Sequence, residues 1–367
     1  GSSPAANVPA APRPLPPEVS TALVRFLVPG TSRRFRCGGL SVEQQTARLV
    51  AGICPTELVT YRERSPDHPY LDDLLSTNSS KSQILWIVSW GFDVPRLIHR
   101  LRGHRVAYHA HSSGYGFSLP PGVPVLAVSR NTLGYWGDRA PRNPLLLVPN
   151  ALDAVWLARG DREAVGGRPI DVLVQARKCS RYLKDRLVPA LQNAGLNVKV
   201  QDGWVEDLVG MFNQSTVYLY DSAEYWRGRG VSEGFGLPPL EAMACGCVVF
   251  SSLNHALADH GDAGQTMHQI GCGRLGFDVS RIQEAVADPA SWRPQSQDLN
   301  ALLEGCSEAS LRLRWTAALA QMDALQASEG SLLKTRPDWR LRLDPWQQRL
   351  QRVVNRFPGW PKASRPR

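Results

Sequence analysis

Apolar runs and amphipathic segments alternate along most of the chain, in two successive series. In the first, apolar runs predict strands at residues 21–28, 57–61, 84–88, 105–109, 123–128 and 145–148, and helical periodicity predicts helices at 41–51 and 94–101. In the second, the same patterns predict strands at 171–175, 197–201, 217–220 and 248–250, and a helix at 184–194. Such alternation is typical of parallel sheets. The sequence therefore predicts two Rossmann-like α/β domains that face a central cleft.

Ligands of open parallel sheets bind at the carboxyl ends of the strands. Two such sheets would bring the loop at Gly38 and Gly39, His111, Arg177 and Glu233 to the shared cleft. We expect a disordered lead over residues 1–18, rich in Pro and Ala, a first domain over 19–150, a second over 151–330 and a basic tail over 331–367.

Composition fits an ordinary globular protein with room for two cores. The chain has 367 residues, of which 43% are hydrophobic and 20% charged, and it lacks an apolar run long enough to span a bilayer. Seven cysteines at irregular positions favour free thiols over a disulfide framework. A reducing, cytoplasmic location is therefore expected.

The positive charge is concentrated in the tail. Residues 334–367 hold ten basic and two acidic side chains, so they carry eight of the nine net positive charges. A nucleic-acid-binding protein usually spreads basic charge over its folded face, and nucleic acid is therefore not an expected partner. A tail helix beginning at Pro345 would either pack back on the first domain or make peripheral contact with an anionic membrane.

The stretch S-E-G-F-G-L-P-P-L-E-A-M-A-C-G-C-V-V-F, residues 232–250, is the most informative motif. It places Glu233 and Glu241 eight positions apart, with a glycine turn and a helix start between them. A helix N-terminus facing a glycine turn attracts anions, and a carboxylate one turn further on can accept hydrogen bonds from a ribose diol. The combination indicates a nucleotide sugar.

This stretch resembles the E-x7-E signature of retaining glycosyltransferases with the GT-B fold, especially glycosyltransferase family 4. The resemblance implies two Rossmann-like domains and a C-terminal helix that crosses back to the first. It also implies that Glu241 holds the donor ribose, and that Glu233 and the turn after it lie against the transferred sugar and the phosphates. The donor-binding residues of that turn would be Gly234, Phe235, Gly236 and Leu237.

Segments of the first domain resemble the family more loosely. A Gly38-Gly39 pair alone predicts only a turn, but its place after the first strand resembles the glycine loop that approaches the donor diphosphate. Residues 106–114 resemble the strand and loop that carry the active-site histidine, which is His111 here unless it only caps the loop. Residues 148–153 resemble the family's P-N-G-V-D run at the domain junction, with Ala151 in place of the glycine, so the boundary is expected near Asn150.

The second domain offers candidates for the rest of the donor site. The resemblance implies that Arg177 and a lysine clamp the donor phosphates; Lys184 is the candidate, with Arg181 in competition. Residues 202–208 resemble the loop around the donor base, which assigns donor contacts to Trp204 and Val205. Residues 224–230 are interpreted as an insertion that contacts the acceptor or the donor sugar.

No D-x-D motif is present, so neither a metal nor another cofactor is expected. The sequence-based hypothesis is a retaining, metal-independent hexosyltransferase that uses a nucleoside diphosphate sugar, with UDP or GDP as the expected nucleotide, and a glycan or lipid-linked acceptor. The alternatives are a nucleotide-sugar-binding protein without turnover and a GT-B hydrolase or epimerase.

Overall fold

A computed structural model describes residues 18–77, 82–164, 167–271 and 274–329, together with residues 346, 349 and 350. Within these residues the chain forms two parallel sheets flanked by helices. No helix in the described ranges is both long and apolar enough to cross a membrane.

The first sheet has six parallel strands in the order β2-β1-β3-β4-β5-β6. Its strands are β1 (Leu23–Val28), β2 (Thr56–Thr60), β3 (Ile84–Val88), β4 (Arg105–Ala110), β5 (Val125–Ala127) and β6 (Leu145–Leu147). The helices between them are α1 (Gly38–Val50), α2 (Leu71–Leu75), α3 (Val94–Arg100) and α4 (Arg130–Arg139). Every residue of β4 is buried, as expected for a strand covered on both faces.

The second sheet has five parallel strands in the order β11-β10-β9-β7-β8. They are β7 (Ile170–Gln175), β8 (Val198–Gln201), β9 (Ser215–Tyr220), β10 (Val248–Ser251) and β11 (His268–Gln269). The helices are α5 (Ala154–Arg159), α6 (Val188–Asn193), α7 (Leu208–Asn213), α8 (Ala223–Arg229), α9 (Leu237–Ala244), α10 (Leu275–Ala287), α11 (Ser296–Gly305) and α12 (Glu308–Glu329). The strand order reverses beside β7, which places a crevice at the carboxyl ends of β7 and β9.

The prediction of two parallel-sheet domains is confirmed, with local differences at element ends. Helix α1 begins at Gly38, three residues before the predicted start, because the two glycines form its first turn. The predicted helix at 184–194 is a π-helical segment, Tyr182–Leu187, that continues into α6. Strand β11 was not predicted, since two residues are too few to show a period. The division of the chain into domains at residues 150 and 330 stays a prediction.

Helix α12 crosses back from the second domain and packs on the first sheet. It buries Leu311, Trp315 and Met322 against β1 and its neighbours. Its Asp323 accepts hydrogen bonds from the Arg105 guanidinium at 2.8 Å and from the backbone N–H of Ser20 at 2.8 Å. The crossing expected from the resemblance is therefore made by α12. The predicted tail helix lies almost wholly outside the described residues.

Removing the buried indole of α12 tests this crossing. The Trp315 ring is fully buried, 5.5 Å from that of Phe26 and 5.3 Å from that of His109. We expect Trp315→Ala to lower the free energy of unfolding by about 3–5 kcal/mol, measured by urea denaturation followed by circular dichroism. Leu313→Ala is the matched control on the same helix, because that side chain is 69% exposed; a similar loss in both variants would contradict the packing.

Candidate functional site

The two domains meet where the loop after β4 packs on the segment between α8 and α9. The hydroxyl of Ser112 donates to the carbonyl of Ser232 at 2.7 Å, and the N–H of Ser113 donates to the Ser232 hydroxyl at 3.1 Å. A Cβ atom on Gly234 would lie 1.5 Å from the carbonyl oxygen of His111. Only glycine fits there. This contact brings the backbone of His111 directly against the glycine turn.

Glu233 is almost fully buried at the centre of this junction, and one of its carboxylate oxygens accepts three hydrogen bonds. Oε2 accepts from the Tyr220 hydroxyl, the Ser222 hydroxyl and the Trp226 indole N–H, each at 2.7 Å. Burial and the neighbouring Glu233 raise the pKa of Tyr220 well above its ordinary value, so the phenol stays a donor. Three neutral donors stabilise the ionised carboxylate and fix its orientation.

The other oxygen of Glu233 faces Lys178, which follows β7 directly. The ammonium Nζ lies 3.9 Å from Oε1 and 4.7 Å from the centroid of the Trp226 ring. Lys178 has a φ of 62°, a backbone conformation that lysine rarely adopts. Strain of this kind clusters at binding sites and catalytic sites. The sequence analysis did not select Lys178.

His255 fixes Glu233 from the other side. Its Nδ1 accepts the backbone N–H of Glu233 at 3.1 Å, and its own φ is 51°. Burial lowers the pKa of His255, which favours the neutral ring at pH 7. Since Nδ1 is an acceptor, the neutral ring carries its proton on Nε2. Lys178 and His255 are the two non-glycine residues with positive φ in the described ranges, and both contact Glu233.

Glu241 lies in α9, the helix that begins after Gly236. Its carboxylate has no hydrogen-bond partner among the residues that the structure describes. Burial raises the pKa of Glu241 to about 7; Lys178 opposes this shift and Asp153 adds to it. A carboxylate that is partly buried, left without a hydrogen-bond partner among the described residues and given a shifted pKa is a candidate for binding a ligand.

The first domain contributes the N-terminus of α1 and His111. Gly38 and Gly39 form the first turn of α1, and a Cβ atom on Gly38 would meet no atom within 4 Å. This end of the helix is therefore open to an anion, although packing does not require glycine there. Helix α1 also carries Glu43, whose Oε1 lies 2.5 Å from Nε2 of His111.

Among the described residues, several predicted site residues form no hydrogen bond or ion pair with this junction. Arg177 and Lys184 are exposed, and their side chains form no hydrogen bond or ion pair with described residues. The Arg181 side chain lies 3.5 Å from Glu224. Trp204 is 80% exposed after β8, while Val205 packs against the core of the second domain.

The structure thus brings His111, Gly234 and Glu233 together, and places Lys178 near Glu233 and Glu241. Lys178 was visible only as one of several basic residues after β7. His255 and Glu43 belong to no sequence motif. Their contacts join segments that are far apart in the sequence, so the sequence alone does not reveal them. The indole N–H of Trp226 in α8 bonds to Glu233, and contact of residues 224–230 with the acceptor or the donor sugar stays a prediction.

Gly234→Ala tests the close contact between the domains. The added methyl overlaps the carbonyl of His111, so the two loops must separate. We expect a loss of about 1–3 kcal/mol in unfolding free energy and a larger radius of gyration by X-ray scattering. Gly276→Ala in α10 is the control, since its Cβ would meet nothing within 4 Å. Equal stability of the two variants would contradict the contact.

Glu241→Gln tests the raised pKa. The carboxyl ionises near its ordinary value in the unfolded chain and near pH 7 in the folded one, so the folded state loses stability as the pH rises from 4.5 to about 7, and the loss is complete above pH 7. The neutral amide should be more stable than the wild type by about 1–3 kcal/mol at pH 8, with the gain shrinking toward zero near pH 4.5. Urea unfolding at both pH values measures this. A gain that does not change with pH would contradict it.

A family model matches this sequence over part of the second domain. Residues 183–260 match a family model described as glycosyl transferases group 1. The matched segment contains the glycine turn, Glu233 and Glu241. No curated protein matches the sequence.

Solved structures match over most of the chain. Sucrose-phosphate synthase from Thermosynechococcus elongatus aligns with a TM-score of 0.57 and 14% identity, over 83% of this chain and 99% of its own. The lipopolysaccharide outer core galactosyltransferase WaaB aligns with a TM-score of 0.55 and 14% identity, over 82% and 99%. HepE from Anabaena, solved in complex with UDP and glucose, aligns with a TM-score of 0.50 and 14% identity, over 84% and 99%. The chain therefore has the two-domain GT-B fold of glycosyltransferases, as its sequence predicted.

Proposed function

We propose that this chain is a retaining, metal-independent glycosyltransferase that moves a hexose from a nucleoside diphosphate sugar to a glycan or lipid-linked acceptor. The observation that carries the proposal is the unpaired carboxylate of Glu241 near Lys178, which itself lies beside Glu233. These three side chains lie at the carboxyl ends of parallel strands, where open α/β sheets bind nucleotides.

The donor nucleotide would be held by groups around the glycine turn, the first turn of α1 and the loop after β8. Glu241 would accept two hydrogen bonds from the ribose diol. The backbone N–H groups of Gly234 to Leu237 and the first turn of α1 would approach the diphosphate. The loop with Trp204 and Val205 would contact the base. UDP or GDP is the expected nucleotide, and the match to a structure solved with UDP and glucose supports UDP.

The leaving diphosphate needs positive charge, and Lys178 is the residue best placed to supply it. It lies in the partly buried cleft between Glu233 and Trp226, where electrostatic interactions are stronger than in water. Arg177 and Lys184, exposed on the same side of β7, would add long-range charge. Together with the helix N-termini, these groups would replace a metal ion.

Glu233 is poorly suited to act as a nucleophile. Three hydrogen bonds to Oε2 and the ammonium of Lys178, 3.9 Å from Oε1, occupy both carboxylate oxygens. A retaining glycosidase needs two carboxyl groups about 5–5.5 Å apart across the bond, and Glu241 is assigned to the ribose. Same-face attack, with a donor phosphate oxygen taking the proton of the acceptor hydroxyl, remains as the proposed route.

The acceptor would lie on the first domain. Phe92 follows β3, is largely exposed, and stands edge-on to Tyr115 with 4.9 Å between ring centroids. Arg33, Arg34 and Arg36 follow β1 and are exposed without an ion pair to any described residue. Aromatic rings and unpaired arginines at this edge would suit a sugar ring and a phosphate of a lipid-linked acceptor.

A cytoplasmic location is part of the proposal. The described cysteines are all free, which is consistent with a reducing compartment. Membrane contact through the tail stays a prediction, since residues 330–345 and nearly all that follow lie outside the described ranges.

A thermal-shift panel of UDP, GDP, ADP and their sugars tests the donor site. A nucleotide at 100 times its dissociation constant should stabilise the wild type by about 2.7 kcal/mol. Glu241→Gln should lose that stabilisation, while Glu284→Gln, an exposed carboxylate on α10, should keep it. No shift with any nucleotide would contradict the proposed donor site.

Turnover separates the proposal from its alternatives. With donor and acceptor together, we expect a glycoside that keeps the donor's anomeric configuration, followed by nuclear magnetic resonance, and a rate unaffected by a chelator. Donor hydrolysis or epimerisation without transfer would indicate the other GT-B activities. Nucleotide binding without any turnover would indicate a binding protein.

A further inference from the structure

Glu43 is a fully buried carboxylate on α1 that contacts two histidines of the β4 segment. Its Oε1 lies 2.5 Å from Nε2 of His111 and 2.5 Å from Nδ1 of His109. Glu43 and His109 have no exposed surface, whereas part of the His111 side chain is exposed. A single carboxylate oxygen thus stands between a buried ring and the ring at the domain junction.

The same three side chains are ligand types for a metal ion, and their donor atoms lie within 4.8 Å of one another. Two atoms bound to one zinc ion at about 2.0–2.1 Å in tetrahedral geometry lie roughly 3.3 Å apart. The 2.5 Å between Oε1 and Nε2 of His111 is that of a short hydrogen bond instead. Nδ1 of His109 lies equally close to Oε1 but without the geometry of a hydrogen bond. The arrangement is therefore a carboxylate held between two imidazoles.

The electrostatics of the cluster require an ionised Glu43. Burial alone would raise its pKa, but the attraction of His109 and His111 and the hydrogen bond of His111 outweigh burial and lower the pKa to about 2. Burial also lowers the pKa of His109, while the charge of Glu43 opposes that shift. An ionised carboxylate only accepts hydrogen bonds, so the ring nitrogen of His111 that faces it must carry a proton.

We propose that Glu43 is a positioning residue for His111. It holds the ring with the Nε2 proton directed at the carboxylate, so that Nδ1 is the ring nitrogen left to face a substrate in the cleft. The role of His111 toward a donor sugar rests on the proposed function; the orientation and tautomer of its ring do not. Without Glu43, nothing in the described chain would select between the two ring nitrogens.

His109 and α12 support this arrangement from behind. The rings of His109 and His111 lie 4.2 Å apart by their centroids, and the His109 ring meets the Trp315 indole edge-on at 5.3 Å. Glu43 cannot withdraw from His111 without displacing this packed pair. The helix that crosses back to the first domain therefore helps to hold the histidine of the site.

The tautomer of His111 tests the proposal directly. Long-range nitrogen–proton spectra of the ¹⁵N-labelled wild type, without nucleotide, should show the His111 ring proton on Nε2 and not on Nδ1, with the signal assigned by its loss in His111→Gln. Glu43→Gln should increase the Nδ1-protonated share, because its amide can donate to the ring. A wild-type ring protonated at Nδ1 would overturn the proposal, and this measurement needs no folded variant at position 43.

Enzyme kinetics provide a second test of the positioning role of Glu43. Glu43→Gln should lower kcat about 10–100-fold, as expected for a misplaced catalytic group, and leave the donor dissociation constant within twofold. Glu57→Gln, which removes a carboxylate paired with Arg25 in the same domain, should leave both unchanged. An unchanged kcat in Glu43→Gln, or one equivalent of bound metal lost with Glu43, would overturn the proposal. Absence of turnover in the wild type would count against the proposed function alone.

Discussion

The contact between the carbonyl of His111 and Gly234 is the constraint on which the arrangement of the site depends. The two backbones approach so closely that a Cβ atom would lie 1.5 Å from the carbonyl oxygen. Ser112, Ser113 and Ser232 surround this contact with hydrogen bonds. Because neither loop can shift without breaking it, the backbone of His111 and the glycine turn of the other domain are held side by side.

Three buried or partly buried glutamates around this contact have different environments, and these suit different roles. Glu43 lies between two histidines, which lower its pKa to about 2, and it can orient a neighbour while staying ionised. One oxygen of Glu233 accepts hydrogen bonds from three neutral donors, which fix the orientation of the carboxylate. Glu241 has no partner within the described ranges and a pKa raised to about 7, so it is available to a ligand.

The sequence predicted the fold well because its information was local. Apolar runs gave the buried strands, and the segment around Glu233 and Glu241 combined glycines, prolines and carboxylates in an order that few structures share. The sequence could not predict contacts that depend on an unusual backbone conformation or that join residues far apart in the sequence. Lys178 contacts Glu233 from a backbone conformation with positive φ, which the residue type lysine does not predict. Glu43 is 68 positions from His111 in the sequence. The crossing helix was expected in the tail, whereas the apolar stripe of α12, with Leu311, Trp315 and Met322, is the one that packs on the first sheet.

A crystal structure of the protein with the nucleotide that binds it most tightly would test the central claim most directly, which is that the donor lies between Glu241, Lys178 and the glycine turn. The account predicts both ribose hydroxyls within hydrogen-bond distance of the Glu241 carboxylate and the diphosphate near Lys178 and the N–H groups of the turn. A nucleotide bound elsewhere, with Glu241 still unpaired, would contradict it.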